Sequence, residues 1–278
     1  MEPRSKSFYA LSVFFALFVL FLYGPTFTIG ILSFQGPQGG LTFPMNGVSV
    51  YWFQDLFKEQ AVGDIWGAFR RSFVLGLLVM VTTVVVSVMS GLAFRKRFAG
   101  SGILFYLAIT SLVIPSILIS LGVGLIFNQL GLKVHWATSG FGSQLTWTLP
   151  FGLLIMFAVF NRFDKSFEEA ARDQGATAWQ TIRFVVLPII APSLIGVALF
   201  GFTLSYDEFA RTLLTAGSYN TLPLEIFGMT TNVTTPVIYA LGTLTTIFSF
   251  LVIGVFLLTV WIMGKRRSRF GSDAGKGV

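Results

Sequence analysis

The sequence predicts an all-α protein that crosses a membrane several times, and composition and charge pattern are the basis for this prediction. Hydrophobic residues make up 54% of the 278 residues and charged residues only 11%, whereas soluble domains contain about 25% charged residues. The mean hydropathy is +0.77. A soluble enzyme is excluded because so few charges cannot cover its surface. A disordered chain is excluded because disorder requires little apolar surface.

Uncharged stretches divide the chain into six predicted spans, since a helix needs about 20 apolar residues to cross the bilayer core. The spans are residues 8–32, 72–94, 102–127, 143–160, 188–209 and 239–263. They form one transmembrane domain, 8–263, after a short N-terminal segment, 1–7, and before a basic tail, 264–278. The first span is too long for the apolar core of a cleaved signal peptide, so we expect it to be retained.

Lys and Arg are distributed unequally between the two sides of this arrangement. If the termini are cytoplasmic, 14 of the 19 Lys and Arg residues lie inside. The positive-inside rule therefore predicts that both termini are cytoplasmic. The net charge of +7 is explained by topology, and we expect no nucleic-acid partner.

The residue types that most enzymes need are scarce. The chain has no Cys and a single His, His135, so thiolate and His-rich metal sites are excluded. The phosphate-loop pattern G-x-x-x-x-G-K-[ST] is absent, because Thr259 occupies the first glycine position before Gly264 and Lys265. We therefore expect no catalytic residue, metal or cofactor in this chain, and any energy source must lie on another subunit.

The longest predicted outer loop, residues 34–68, begins with the turn-rich sequence GPQGG. Apolar and charged residues then alternate around Tyr51 and Trp52 up to Glu59. This pattern has two interpretations: an amphipathic helix at the outer membrane interface, or a loop packed on the helix bundle.

The predicted inner loop, residues 161–187, contains two helix-start patterns. Ser166 with Glu169, and Thr177 with Gln180, have the spacing of capping boxes. Gly175 lies between them, where a helix commonly ends in a left-handed residue. Pro188 follows, and proline is tolerated in the first turn of a helix. We expect a short charged helix, a glycine break and a second helix that leads into the fifth span.

This loop resembles the EAA loop of ABC-importer permeases, whose pattern is E-A-A, three residues, G, nine residues, I, one residue, L-P. The matching residues are Glu169, Ala170, Ala171, Gly175, Leu187 and Pro188. Val185 replaces the usual isoleucine. The resemblance implies a six-helix type I permease bundle whose EAA helix couples to a cytoplasmic ATPase.

Residues 202–209 and 222–227, together with Arg70, Arg71, Phe94 and Arg95 at the ends of the second span, resemble the second permease of spermidine/putrescine-type importers. This resemblance implies an ATP-binding cassette subunit pair that holds the ATP and Mg. It also implies a second, different permease subunit and an external solute-binding protein. The expected location is a bacterial inner membrane.

Four residues at the outer end of the fifth span are candidate solute contacts: Tyr206, Asp207, Glu208 and Phe209. Ionisable groups at membrane depth are costly and are functional candidates by default. Adjacent carboxylates beside aromatic rings suit a polyamine-like cation. The alternative is that they are loop charges with Arg211 as a partner. Other solutes (an amino acid, an opine or a sugar derivative) stay open, as does a stand-alone channel or secondary carrier.

Overall fold

The computed structural model describes residues 5–58, 63–96, 98–232 and 235–274, and all regular secondary structure within them is helical. In the described residues, five helices are long and apolar enough to cross a membrane, and a bent pair makes up to six. The helices are α1 (Lys6–Leu32), α2 (Tyr51–Asp55), α3 (Ile65–Phe94), α4 (Ser101–Val113), α5 (Ser116–Gln129), α6 (Phe141–Asn161), α7 (Ser166–Asp173), α8 (Ala178–Thr181), α9 (Leu187–Tyr206), α10 (Leu222–Asn232) and α11 (Val237–Ala274).

Two of these helices have π-helical turns immediately before them. Trp136–Gly140 precedes α6, and Ile182–Val186 connects α8 to α9. Helix α3 begins well before the predicted start at residue 72, because Asp64 caps it by accepting the Gly67 backbone N–H at 2.9 Å.

The third predicted span is not one straight helix, which corrects the prediction for residues 102–127. Helices α4 and α5 are bent by 110° relative to each other. Pro115 lies at the bend, and Ile114 before it has an extended backbone with ψ 129°. Proline disfavours the helical region for the residue before it and has no N–H to donate. The uncharged sequence did not indicate this change of direction.

The helices divide into two compact units. One consists of Asp64–Glu225 with Leu251–Val278, and within it α3, α6 and α9 pack against one another. Glycines allow this close approach. A Cβ on Gly152 would lie 3.0 Å from Cγ2 of Thr83, and a Cβ on Gly201 would lie 3.2 Å from the Met80 Cα. Small residues at such positions are the usual means by which membrane helices associate.

The other unit consists of Met1–Gly63 with Ile226–Phe250. Within it, α2 is a short helix whose Trp52 is buried and donates its indole N–H to the Gly36 carbonyl at 3.3 Å. Leu56 is buried as well. The segment therefore contains a short helix, as the interfacial interpretation expects, and the contact of its Trp52 lies within the loop itself. Glu59 lies outside the described residues, as do residues 1–4 and the last residues of the predicted tail, 275–278.

Candidate functional site

The EAA loop (residues 161–187) forms two short helices joined by a tight turn. The C-terminal end of α7 closes with two backbone hydrogen bonds: the Gly175 N–H donates to the Arg172 carbonyl at 2.8 Å, and the Ala176 N–H to the Ala171 carbonyl at 3.0 Å. This pair of bonds is the Schellman motif. This motif explains part of the family spacing. The second alanine of E-A-A, Ala171, supplies the carbonyl that accepts the N–H of Ala176, the residue after the glycine.

Gly175 has the conformation that the sequence pattern predicted. Its φ is +81°, in the left-handed region where an L side chain is strained. A Cβ built on Gly175 would meet no atom within 4 Å. Within the described residues, the glycine is therefore explained by its backbone conformation and not by clearance from a neighbouring atom.

The two helix starts differ from each other. The Thr177–Gln180 capping box is present, with hydrogen bonds of 2.8 and 3.3 Å. The prediction of a Ser166–Glu169 capping box is wrong, because Ser166 is already the first helical residue. Lys165, which precedes it, makes no side-chain capping bond. Asp164 takes the capping role instead, since its Oδ1 accepts the Ser166 N–H at 2.9 Å. That hydrogen bond lowers the pKa of the Asp164 carboxyl from its ordinary value.

An ion pair that the sequence did not indicate fixes α7 to the rest of the bundle. The Arg95 guanidinium, at the C-terminal end of α3, donates to the Glu168 carboxylate, and both side chains are largely shielded from solvent. Arg95 also lies over the rings of Phe160 and Phe163, at 5.2 and 5.3 Å from their centroids. In the sequence, Arg95 was notable only as a basic residue of the permease resemblance at the end of the second span, and no pattern indicated an ion pair.

The adjacent carboxylates of α7 have different environments. Glu168 is partly buried against Arg95, whereas Glu169 and Ala170 are exposed. Phe167 is also exposed, at 52% of its surface. Because an eight-residue helix cannot hold itself in water, α7 depends on its ion pair, its C-terminal turn and its packing, and it leaves Glu169 and Ala170 available on its outer surface.

The Leu187–Pro188 end of the motif lies in a continuous helical run and not at a fresh helix start. Residues Ala178–Tyr206 form one membrane-length run, with the π-helical turn Ile182–Val186 immediately before α9. A proline inside a helix removes one backbone hydrogen bond and crowds the preceding turn, and a local π-helical adjustment can re-satisfy the backbone groups that it frees. Leu187 packs against a buried cluster that contains Met156, Phe160, Val186 and Ile190. The EAA loop is thus joined to the bundle core by unbroken helix.

The four candidate solute contacts at the end of α9 do not share one face. Tyr206 is 3% exposed and stacks on Phe202, with ring centroids 5.7 Å apart, so it belongs to the packed interior. Asp207 is exposed, and Phe209 is half-buried. Glu208 accepts the Arg211 backbone N–H at 2.9 Å. Asp207 is therefore the candidate carboxylate that is open to a solute.

Arg211 is the feature of this region that sequence reasoning placed incorrectly. In the loop-charge interpretation it is the partner of these carboxylates, but its side chain is completely buried. Its guanidinium donates to Thr146 Oγ1 and lies 4.9 Å from the centroid of the Trp147 ring. Its bond to Glu208 uses the backbone N–H. A buried cation that is held by hydrogen bonds and a ring is a structural anchor for the segment after α9.

A polar network fixes the start of α3 to the segment before α10. Arg71 donates to Asp64 Oδ2 at 3.1 Å and to the Asn220 carbonyl at 2.7 Å. Glu225 accepts from the Asp64 N–H and the Asn220 side chain, both at 2.8 Å. The Gly67 N–H, with help from Arg71, lowers the pKa of the Asp64 carboxyl. These bonds hold the segment that carries Tyr219, which is 56% exposed.

Comparison with curated proteins gives relatives of similar length. The chain is 28% identical over 251 residues to the spermidine/putrescine transport system permease protein PotC of Haemophilus influenzae, covering 87% of this chain and 93% of the relative. It is 27% identical over 232 residues to the putrescine transport system permease protein PotI of Escherichia coli K12, covering 81% of each chain.

Among solved structures, a bacterial alginate ABC transporter in complex with an alginate pentasaccharide-bound periplasmic protein has a chain with a TM-score of 0.64 at 17% identity. The match covers 93% of each chain. At this identity the likeness shows the fold alone. Residues 83–264 match the family of binding-protein-dependent transport system inner membrane components, which is well over half of the chain. The chain is therefore a multi-pass transport permease that belongs to this family.

Proposed function

We propose that this chain is the permease subunit of an ATP-driven importer and that its EAA loop is the contact for the ATPase. The observation that carries the proposal is the geometry of α7. Its Glu169 and Ala170 face solvent, while Glu168 and the Gly175 turn hold the helix in place. A short helix fixed at both ends, with a small residue and a carboxylate on its open surface, is suited to a groove on another protein.

The connection from α7 to the membrane supports a role in transmitting force. Helix α8 continues through the π-helical turn into α9, and α9 packs on α3 and α6. The Arg95–Glu168 ion pair adds a second link, from α7 to α3. A displacement of α7 by an ATPase would reach two helices of the bundle at once. ATP and Mg belong to that partner in this proposal, which also includes a second, different permease and an external solute-binding protein.

The solute in this proposal is a polyamine-like cation. The named relatives PotC and PotI transport spermidine or putrescine, and the exposed Asp207 carboxylate offers a counter-charge at the outer end of α9. A buried charge without a partner costs several kcal/mol, so a cation that leaves water needs such groups. The shared fold does not determine the solute, since the alginate transporter is involved in the import of an acidic polysaccharide.

The orientation in this proposal places both termini and the EAA loop in the cytoplasm of a bacterial cell, following the excess of basic residues on that side. Reporter fusions after Phe98, after Asp164 and at Val278 should report a cytoplasmic location. Fusions near Gly39 and Tyr219 should report an external one. A cytoplasmic signal at residue 39 or 219 contradicts the orientation.

The decisive experiment is purification of the tagged chain from its native host, followed by uptake in proteoliposomes. We expect an ATPase and a second permease to co-purify, and uptake of spermidine or putrescine to require ATP and a binding protein. Glu169→Lys should reduce ATPase retention, while Arg183→Gln, a change at an exposed residue outside the family motif, should not. ATP-independent uptake by the isolated chain would instead indicate a stand-alone channel or carrier.

A further inference from the structure

We propose that a cationic cleft between the end of α3 and the EAA loop binds the phosphate group of an anionic phospholipid. The cleft has a volume of about 460 Å³. Its charged lining consists of Arg95 and Lys96 from α3 and Lys165, Glu168 and Arg172 from the EAA loop. The inference rests on the cytoplasmic orientation proposed above, because that leaflet carries the negative surface potential.

The cleft has an excess of positive charge. It holds four cations and a single carboxylate, and that carboxylate, Glu168, is already paired with Arg95. Lys96, Lys165 and Arg172 have no ion pair among the described residues. Basic pockets beside transmembrane helices on the cytoplasmic side are suited to anionic lipid headgroups, and an arginine fork matches phosphate oxygens.

Helical geometry places the cleft beside part of the surface proposed for the ATPase. Residues at spacings of three and four share one side of a helix, which places Lys165, Glu168 and Arg172 together. Phe167 and Ala170 lie toward the opposite side of α7. Both are exposed, whereas Glu168 is partly buried in the cleft. Glu169 has the same spacing from Lys165 and Arg172, so it shares their side of the helix. Phe167 and Ala170 are therefore the part of α7 that an ATPase can cover while a lipid occupies the cleft.

The position and the apolar part of the lining favour a lipid over a soluble anion. The apolar wall of the cleft, beside the cations, consists of Leu92, Ala93 and Ile182. Helix α3 ends at Phe94, which is also the last residue of the uncharged stretch 72–94, so the proposal places the cleft at the boundary between hydrocarbon and water. A free phosphate ion makes no favourable contact with the apolar wall, whereas a phospholipid places its glycerol and first methylene groups against it.

A bound headgroup would act on the same link as the Arg95–Glu168 ion pair. It would bridge Lys96 on α3 to Lys165 and Arg172 on the EAA loop, and so stabilise the position of α7. Anionic lipid content would then regulate how well the loop transmits movement to the bundle.

The test uses the complete transporter complex and compares two double variants of equal charge. Lys165→Gln with Arg172→Gln removes two cleft cations, and Arg162→Gln with Arg183→Gln removes two basic residues of the same loop that do not line the cleft. Phosphatidylglycerol retained by the complex is measured by native mass spectrometry after incubation in phosphatidylcholine vesicles that contain it. At about 1 kcal/mol per cation near a membrane surface, the cleft variant should bind about 30-fold more weakly.

Each other outcome overturns the proposal. An equal loss in both double variants indicates diffuse surface charge. Competition by inorganic phosphate at equal strength, without a requirement for lipid, indicates a soluble anion. Loss of the ATPase subunit with unchanged lipid retention indicates that the cleft contacts the ATPase. If the cleft double variant does not assemble, Lys96→Gln alone should weaken retention about fivefold, and unchanged retention rejects the site. Amine uptake and ATPase co-purification are measured separately, so rejection of the lipid site does not affect the proposed permease function.

Discussion

Replacement of Gly175 is the most direct test of how the EAA loop works. The change is Gly175→Ala, with Gly175→Asn beside it. Because nothing lies within 4 Å of the added Cβ, the methyl group does not clash with any neighbour. The whole effect comes from the backbone, whose φ of +81° alanine adopts at a penalty of about 1–2 kcal/mol.

That penalty acts on a helix with little stability of its own. Helix α7 has eight residues, well below the roughly 12–15 that an isolated helix needs in water. A loss of 1–2 kcal/mol changes the ratio of ordered to disordered turn by a factor of about 5–30. The apparent affinity for a partner that binds only the ordered turn falls by a similar factor once the disordered form predominates. Asparagine tolerates the left-handed region, so Gly175→Asn should retain most of the function.

The assay is ATP-dependent uptake and ATPase binding by the reconstituted complex, with hydrogen exchange of the α7 amides as the structural readout. Gly100 offers a matched control, since it also has a positive φ, +84°, with nothing within 4 Å of its Cβ, but it precedes α4 and lies outside the EAA loop. Gly100→Ala should show the same local strain without the loss of ATPase binding.

Two results refute this reasoning. If Gly175→Ala and Gly175→Asn lose transport equally, backbone conformation is not the reason for the glycine. If Gly100→Ala lowers ATPase binding as much as Gly175→Ala, the effect is general destabilisation and not the EAA turn.

Three further predictions concern the contacts that position the candidate sites. Glu168→Gln should destabilise α7 by about 1.5–3 kcal/mol, the range for hydrogen bonds to charged groups, as measured by hydrogen exchange. Combining it with Arg95→Met should give less than the sum of the two effects, and strict additivity contradicts the ion pair. Asp207→Asn should lower uptake of a cationic solute at unchanged melting temperature, while Glu208→Ala should also lower the melting temperature because the acceptor of the Arg211 backbone N–H is lost. Normal uptake by both variants, singly and together, removes the solute role. Gly217→Ala should be more destabilising than a positive φ alone predicts, since its Cβ would lie 2.2 Å from a backbone carbonyl oxygen, and a melting temperature like that of the parent protein contradicts this.

The sequence predicted the EAA loop well because its signals are local. Gly175 and the Thr177–Gln180 capping box depend on hydrogen bonds between residues a few positions apart, and such patterns are readable from spacing. The Ser166 capping box failed by the same local chemistry, since Asp164 competes for the same helix start. Neighbouring acceptors of this kind differ by too little energy for sequence alone to choose between them.

The buried charges were not predictable from the sequence. Arg95 and Arg211 look like ordinary basic residues at span ends, yet one pairs with Glu168 and the other is enclosed against Trp147. Glu168 lies 73 positions from Arg95, and Thr146, which accepts from Arg211, lies 65 positions from it along the chain. No periodicity or spacing connects residues at such separations, so only packing reveals whether a charge is solvated or paired.

The amino-acid sequence by itself determined the class of this protein, with its apolar helices and the EAA motif with its turn. These follow from composition and short-range spacing, because the hydrophobic effect and backbone hydrogen bonding act on each segment separately. Only the tertiary structure decided that the third predicted span bends at Pro115, that Glu168 faces inward while Glu169 faces outward, and that a cationic cleft lies between α3 and the EAA loop. The physical reason is that the direction of a helix, the side to which a residue points and the enclosure of a cleft all depend on which helices pack together. That packing is a property of the whole chain.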